Sequence, residues 1–115
     1  MSEKKFIYSI LYDYYGTLLK DNQATVIDMY YNRDYSLSEI AENMNISRQG
    51  VYDALKRAEN SLTEYEDKIK LHYKYKKYLK AAENIVKLAS SIEDERYNDM
   101  TEKIKAEAEK IINEG

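Results

Sequence analysis

Arg48 and Gln49 directly follow a serine able to cap a helix, and Tyr52, Lys56 and Arg57 return one and two turns later. Free backbone N–H groups at a helix N-terminus favour an anion such as phosphate. Arg and Gln can each make paired hydrogen bonds to base edges, with guanine and adenine respectively. Ser47, Arg48, Gln49, Tyr52, Lys56 and Arg57 therefore form a candidate nucleic-acid-binding surface. Asp53 stands among them, where a carboxylate repels backbone phosphate unless it accepts a hydrogen bond from a cytosine amino group.

A second cluster lies in "KLHYKYKKYLK". Lys70, Lys74, Lys76, Lys77 and Lys80 occur with no acid in the run, and Tyr73, Tyr75 and Tyr78 are interleaved with them. Cations beside aromatic rings can hold a phosphate backbone and stack unpaired bases, a combination suited to structured RNA. A solvated helix face gives the same charge pattern, and Tyr75 and Tyr78 also fit an apolar seam.

Catalytic chemistry lacks its parts. His72 is the single histidine, cysteine is absent and no glycine-rich phosphate loop occurs, so nucleophilic triads and the common metal and nucleotide fingerprints cannot be assembled. The expectation is a non-enzymatic protein with no catalytic residue, metal or cofactor. Carboxylates are spaced for pairing with lysines, as Glu83 with Lys87, which suits solvated helix faces.

The elements that position both clusters read as helices. Charged residues make up 34% of the 115 residues and hydrophobic ones 43%, with no Pro and three Gly, which points to an all-α protein. Eighteen Lys and Arg against 21 Asp and Glu give a net charge of −3, so any anion site must be a local patch. The opening residues lack a signal peptide's pattern and no window approaches the ~20 apolar residues of a membrane span, so a cytoplasmic protein without a membrane partner is expected. Thirteen Tyr stand against one Phe and no Trp; such rings can fill a core while the hydroxyl reaches a polar partner.

Phe6, Ile7, Ile10, Leu11 and Tyr14 recur at helical spacing and predict a first helix ending near Gly16. Asp21 or Asn22 can cap a second, with Ala24, Ile27, Tyr30 and Tyr31 inward, closed by "NRDYS". "SLSEIAENMNISRQGVYDALKR", residues 36–57, then carries two start signals. Ser36 and Glu39 fit a capping box, Ser47 repeats the cap, and Met44-Asn45-Ile46 turns the chain at Asn45, which tolerates the left-handed conformation. Ile40, Ala41, Met44, Ile46 and Val51 supply the interior of this helix-turn-helix.

The helix opened by Ser47 continues through a seam of Val51, Leu55, Ala58, Leu62, Tyr65 and Ile69. A second seam at Leu71, Tyr75, Tyr78, Ala82, Ile85, Ala89 and Ile92 is out of register with the first, which predicts a break near Lys70, whether kink or reversal. A last helix places Met100, Ile104, Ala108 and Ile111 inward. The expected organisation is a helical domain over residues 1–69 and a helical extension over 70–115 packed on the same core. Seams this long also suit a partner helix or a second copy of the chain as a homodimer.

"LYDYYGTLL", "MYYNRDYSLSEIAENMNISRQGVYDALKRAE" and "YEDKIKL" together resemble the YlxM family of small bacterial proteins. The resemblance spans about residues 3 to 95, with Gly50 where the family tends to have Ala. It implies a helix-turn-helix similar to region 4 of sigma factors, of the winged-helix-like DNA-binding superfamily type. It further implies a regulatory or accessory role in the signal recognition particle pathway, with the particle's RNA, its GTPase, or DNA as partner. An interaction module acting on that GTPase and a DNA-binding transcription regulator are the two alternatives.

Overall fold

Helix formers uninterrupted by proline give helix along most of the chain. The computed structural model describes residues 3–114, and no strand occurs among them. The order is α1 (Glu3–Tyr15), a 3-10 turn (Gly16–Leu18), α2 (Asp21–Ile27), a π-helical turn (Asp28–Asn32), α3 (Leu37–Met44), α4 (Arg48–Ile69), α5 (Leu71–Ser90), a 3-10 turn (Glu95–Tyr97) and α6 (Asn98–Glu114). The helices group into two compact units divided between His72 and Tyr73.

In the first unit α4 is the hub on which α1, α2 and α3 all pack. Its buried face, Val51, Ala54, Leu55, Ala58 and Leu62, meets Leu11 and Tyr15 of α1, Val26 and Ile27 of α2, Tyr31, and Ile40 and Ala41 of α3. The expected seam holds through Leu62 and half-buried Tyr65, which packs against the core; Ile69 at its end is exposed.

Several expectations are corrected here. Phe6 is exposed because the stripe that α1 buries runs through Leu11 and Tyr15 and Phe6 lies about 140° round the helix from Leu11, and Ile7, although four residues before Leu11 on that stripe, is exposed in the first turns of the helix. Neither Asp21 nor Asn22 caps α2: the chain enters the helix from extended Lys20, which makes no side-chain cap bond. Asp21 sits instead in the first turn, where its charge suits the helix dipole. Helix α2 also runs on into the π turn, whose Arg33 N–H donates to the Asp28 carbonyl at 3.1 Å. This wider turn buries Tyr31 while Tyr30 stays half-buried, their rings edge to face at 4.9 Å.

The helix-turn-helix forms as its caps dictate. Ser36 and Glu39 close a reciprocal capping box, each bond 3.0 Å long, and Ser47 Oγ accepts from the Gly50 N–H at 2.9 Å. Asn45 takes the left-handed conformation at φ 56°. Ile46 is 43% exposed rather than interior; it lies in the turn after the left-handed residue, outside the packed face of either helix. The break predicted near Lys70 falls on that residue, which ends α4 at φ 60°.

Among its described residues the second unit, taken by itself, buries only small side chains: Ala82 and Ala89 of α5, Thr101 and Ala108 of α6. The buried line of α5 runs through these alanines with half-buried Tyr75, Leu79 and Val86 beside them. Leu71, Tyr78, Ile85 and Ile92, expected in the seam, are exposed, as are Met100, Ile104 and Ile111 of α6. The expected seam of α5 is thus split: Ala82 and Ala89 are buried and Tyr75 is half-buried, while the larger members lie on its exposed edge.

Candidate nucleic-acid interface

The surface begins at the turn between α3 and α4. With its oxygen committed to the Gly50 N–H, Ser47 keeps a hydroxyl proton free to donate. Arg48 is the first residue of α4 and is exposed, as are Gln49 and Tyr52. With Leu37 of α3, the residues Arg48, Gln49 and Tyr52 line one cleft. Here the fold gathers a guanidinium, an amide, a phenol and the free N–H groups of a helix start.

Asp53 acts on this group through Gln49. The Gln49 amide nitrogen donates to an Asp53 carboxylate oxygen at 3.0 Å. A carboxylate accepts only, so the pair fixes which end of the amide faces it. The amide oxygen and the second N–H hydrogen remain for another partner, the pattern that adenine pairs with.

Lys56 and Arg57 do not join that cleft. The Lys56 ammonium lies 3.4 Å from Glu59 Oε1 and 5.5 Å from the centre of the Tyr52 ring, which ties it to the body of the helix. Arg57 lies about 180° round α4 from Arg48 and lines a different groove with Lys20 and Gln23.

The second cluster is similarly divided. Lys70 is the left-handed residue that ends α4, so it stands outside α5. Lys74, Lys76, Lys77 and Lys80 are exposed on α5, but Lys76 and Lys80 fall on one side of the helix and Lys74 and Lys77 border the Tyr78–Ile85 line. Tyr73 and Tyr78 are exposed beside them while Tyr75 is half-buried.

Sequence reasoning missed Glu59. Its side chain is 3% exposed, accepts a hydrogen bond from the Tyr31 hydroxyl and lies 3.7 Å from the Lys4 ammonium. The clue was its position four residues after Leu55 and three before Leu62, inside the apolar seam. A second carboxylate–tyrosine link closes the far end of α4: Tyr15 donates to Glu66 at 2.7 Å and accepts from the Leu71 N–H at 2.9 Å. Burial, with the carboxylate hydrogen bond second, pushes both tyrosines above their ordinary range. At the front of α3, the Ser36 N–H and hydroxyl hold the Glu39 carboxyl below its usual value.

Comparison with known proteins agrees with this geometry. Residues 2–109 match the family described as "UPF0122: Putative helix-turn-helix protein, YlxM / p13 like". A UPF0122 protein of Caldanaerobacter subterraneus subsp. tengcongensis is 54% identical over 84 residues, 72% of each chain. One from Desulforamulus reducens is 41% identical over 104 residues, covering 90% of this chain and 89% of its own. Another, from Clostridium kluyveri, is 41% identical over 103 residues, 90% of this chain and 93% of its own. A helix-turn-helix family supports a nucleic-acid-binding, regulatory role. The match along nearly the whole chain, with the paired caps and the left-handed turn found where that motif needs them, makes this chain a member of the YlxM / p13-like helix-turn-helix family.

Proposed function

We propose that this protein is a non-enzymatic regulatory or accessory protein that binds nucleic acid through the first two turns of α4. In this reading Arg48 and Gln49 contact base edges, and Ser47, Tyr52 and the free N–H groups of the helix start hold phosphate. The observation that carries it is the cleft shared by Arg48, Gln49 and Tyr52 directly beyond the Ser47 cap. Lys56 acts here as a support, and Arg57 contributes only general positive charge.

The pathway assignment is finer, and it rests on the family resemblance. It makes the protein an accessory component of the bacterial signal recognition particle, working in the cytoplasm with the particle's RNA as the preferred partner. Lys74, Lys76, Lys77 and Lys80 of α5 are the second anion surface in this reading. The exposed Tyr73 ring among them supports RNA over duplex DNA, since an unpaired base can stack on it.

A second reading is favoured by the net charge of −3 and by Asp53 beside the reading residues. In it the helix-turn-helix is a scaffold, and the protein acts on the particle's GTPase by protein contact. A DNA-binding transcription regulator would instead recognise duplex half-sites roughly 10 base pairs apart if dimeric.

Competition binding separates these readings. Particle RNA is titrated against the double variant Lys76→Glu/Lys77→Glu, with duplex DNA and an unrelated structured RNA as competitors. Preferential RNA binding that the double variant weakens supports the RNA reading. Equal binding by the variant removes the second surface, and preference for duplex DNA transfers the assignment to a transcription regulator.

A further inference from the structure

The second unit exposes more apolar surface than it covers. On α5, Tyr78 and Ile85 stand seven residues apart and are exposed, Ile92 continues that spacing just beyond the helix end, and Leu88 beside them is 68% exposed. The buried alanines 82 and 89 lie about 40° round the helix from that line, so buried and exposed apolar residues form one broad face of which only an edge is covered. Helix α6 repeats the arrangement: Ala108 is buried, whereas Ile104, four residues before it, and Ile111 are exposed, and Met100 is 63% exposed.

What is buried is slight for a unit of this size. Its buried side chains among the described residues are three alanines and a threonine. A unit near 40 residues usually needs a disulfide, a metal or association with another chain to hold its fold, and cysteine is absent.

Charge decides what covers the face. Helix α5 carries five Lys and one Glu, while α6 carries three Lys and five acids. The exposed line of α5 is bordered by Lys74 and Lys77, whereas on α6 the Glu107 carboxylate beside the line is held by Lys110 at 2.8 Å, so the acid excess belongs to that helix as a whole. A partner helix of either sign suits one of these two helices and opposes the other. A second copy supplies both: a two-fold arrangement sets the α6 line of each chain against the α5 line of the other, as a self-complementary interface requires. We infer that the exposed faces of α5 and α6 are a homodimer interface, in which two copies bury Tyr78, Ile85, Leu88, Ile92, Ile104 and Ile111 as the core of a four-helix assembly.

Sedimentation equilibrium of the full chain tests this. The expected mass at about 50 µM, where a micromolar interface is largely formed, is twice the 13.6 kDa of one chain. Ile85→Lys and Ile104→Lys each place an ammonium in the apolar contact and should raise the dimer dissociation constant roughly tenfold or more. Both positions are exposed in one chain, so helicity by circular dichroism at low concentration should be unchanged. Phe6→Lys alters the exposed apolar residue of α1 in the first unit and should leave the dimer intact. A monomer at every concentration, an assembly larger than two, or a dimer broken by Phe6→Lys and not by Ile85→Lys would overturn the inference.

Discussion

The hydroxyl of Tyr31, on the π-helical turn, donates its hydrogen bond to the carboxylate of Glu59, buried on the inner face of α4. The bond joins the hub helix to the turn just ahead of the helix-turn-helix. The ammonium groups of Lys4 and Lys56 flank the same carboxylate. Tyr31→Phe leaves a buried acceptor short of one donor and should cost about 1–3 kcal/mol, measured as a lower urea midpoint with an unchanged m-value.

The same link fixes how stability responds to alkali. Tyr31 and Tyr15 titrate above their ordinary value of 10.0 when folded. The unfolded chain therefore loses these protons first as pH rises. Their contribution is fully present below pH 10 and is lost progressively above it. Urea midpoints measured from pH 8 to pH 11 should fall above about pH 10, and less steeply for Tyr31→Phe than for wild type. Parallel curves would show that Tyr31 does not carry the effect.

Gly50 opposes two local preferences. An alanine in a helix is favoured by roughly 0.5–1 kcal/mol over glycine, yet a Cβ at Gly50 would stand 3.1 Å from Ser47 Oγ, the atom that caps the helix. Gly50→Ala alone should gain less than that amount. In a Ser47→Ala background, which itself costs about 1 kcal/mol through loss of the cap, the same change should yield the full gain. Thermal melts of the four chains give the coupling, and additivity would contradict the conflict.

Asp53 should govern both charge and orientation. Removing its carboxylate takes a repulsive charge away from phosphate, so Asp53→Ala and Asp53→Asn should both bind nucleic acid roughly two- to fivefold more tightly at low salt. Asp53→Asn retains an acceptor for the Gln49 amide whereas Asp53→Ala does not. A preference for adenine should therefore survive in the asparagine variant and weaken in the alanine variant, read from selection on randomised sites.

The local signals that fold the helix-turn-helix are fully legible in the sequence. Ser36 with Glu39, Ser47, and Asn45 are decided by bonds within a few residues, and each does what its type predicts. The break at Lys70 was legible from the change of register, for the same reason. Tertiary choices were not: the apolar seam of α5 mixes small and large residues, and only packing decides that Ala82 and Ala89 are covered while Tyr78 and Ile85 are not. The wide turn after Ile27 has no marker in residue type. Within the candidate site, Arg48, Gln49 and Tyr52 come together as their spacing implies, while Lys56 is drawn to Glu59 by a partner that composition treats as a surface charge.

The central claim is that the start of α4 reads nucleic acid. Fluorescence anisotropy of wild type and Arg48→Ala against particle RNA and duplex DNA, at low salt and near 0.15 M, tests it most directly, because nonspecific phosphate attraction fades steeply with added counterion. The account predicts saturable binding that persists at the higher salt for one of the two nucleic acids and weakens by about 1–3 kcal/mol in Arg48→Ala. Binding that vanishes with salt, or that is the same in Arg48→Ala, would contradict it and leave the helix-turn-helix as a scaffold.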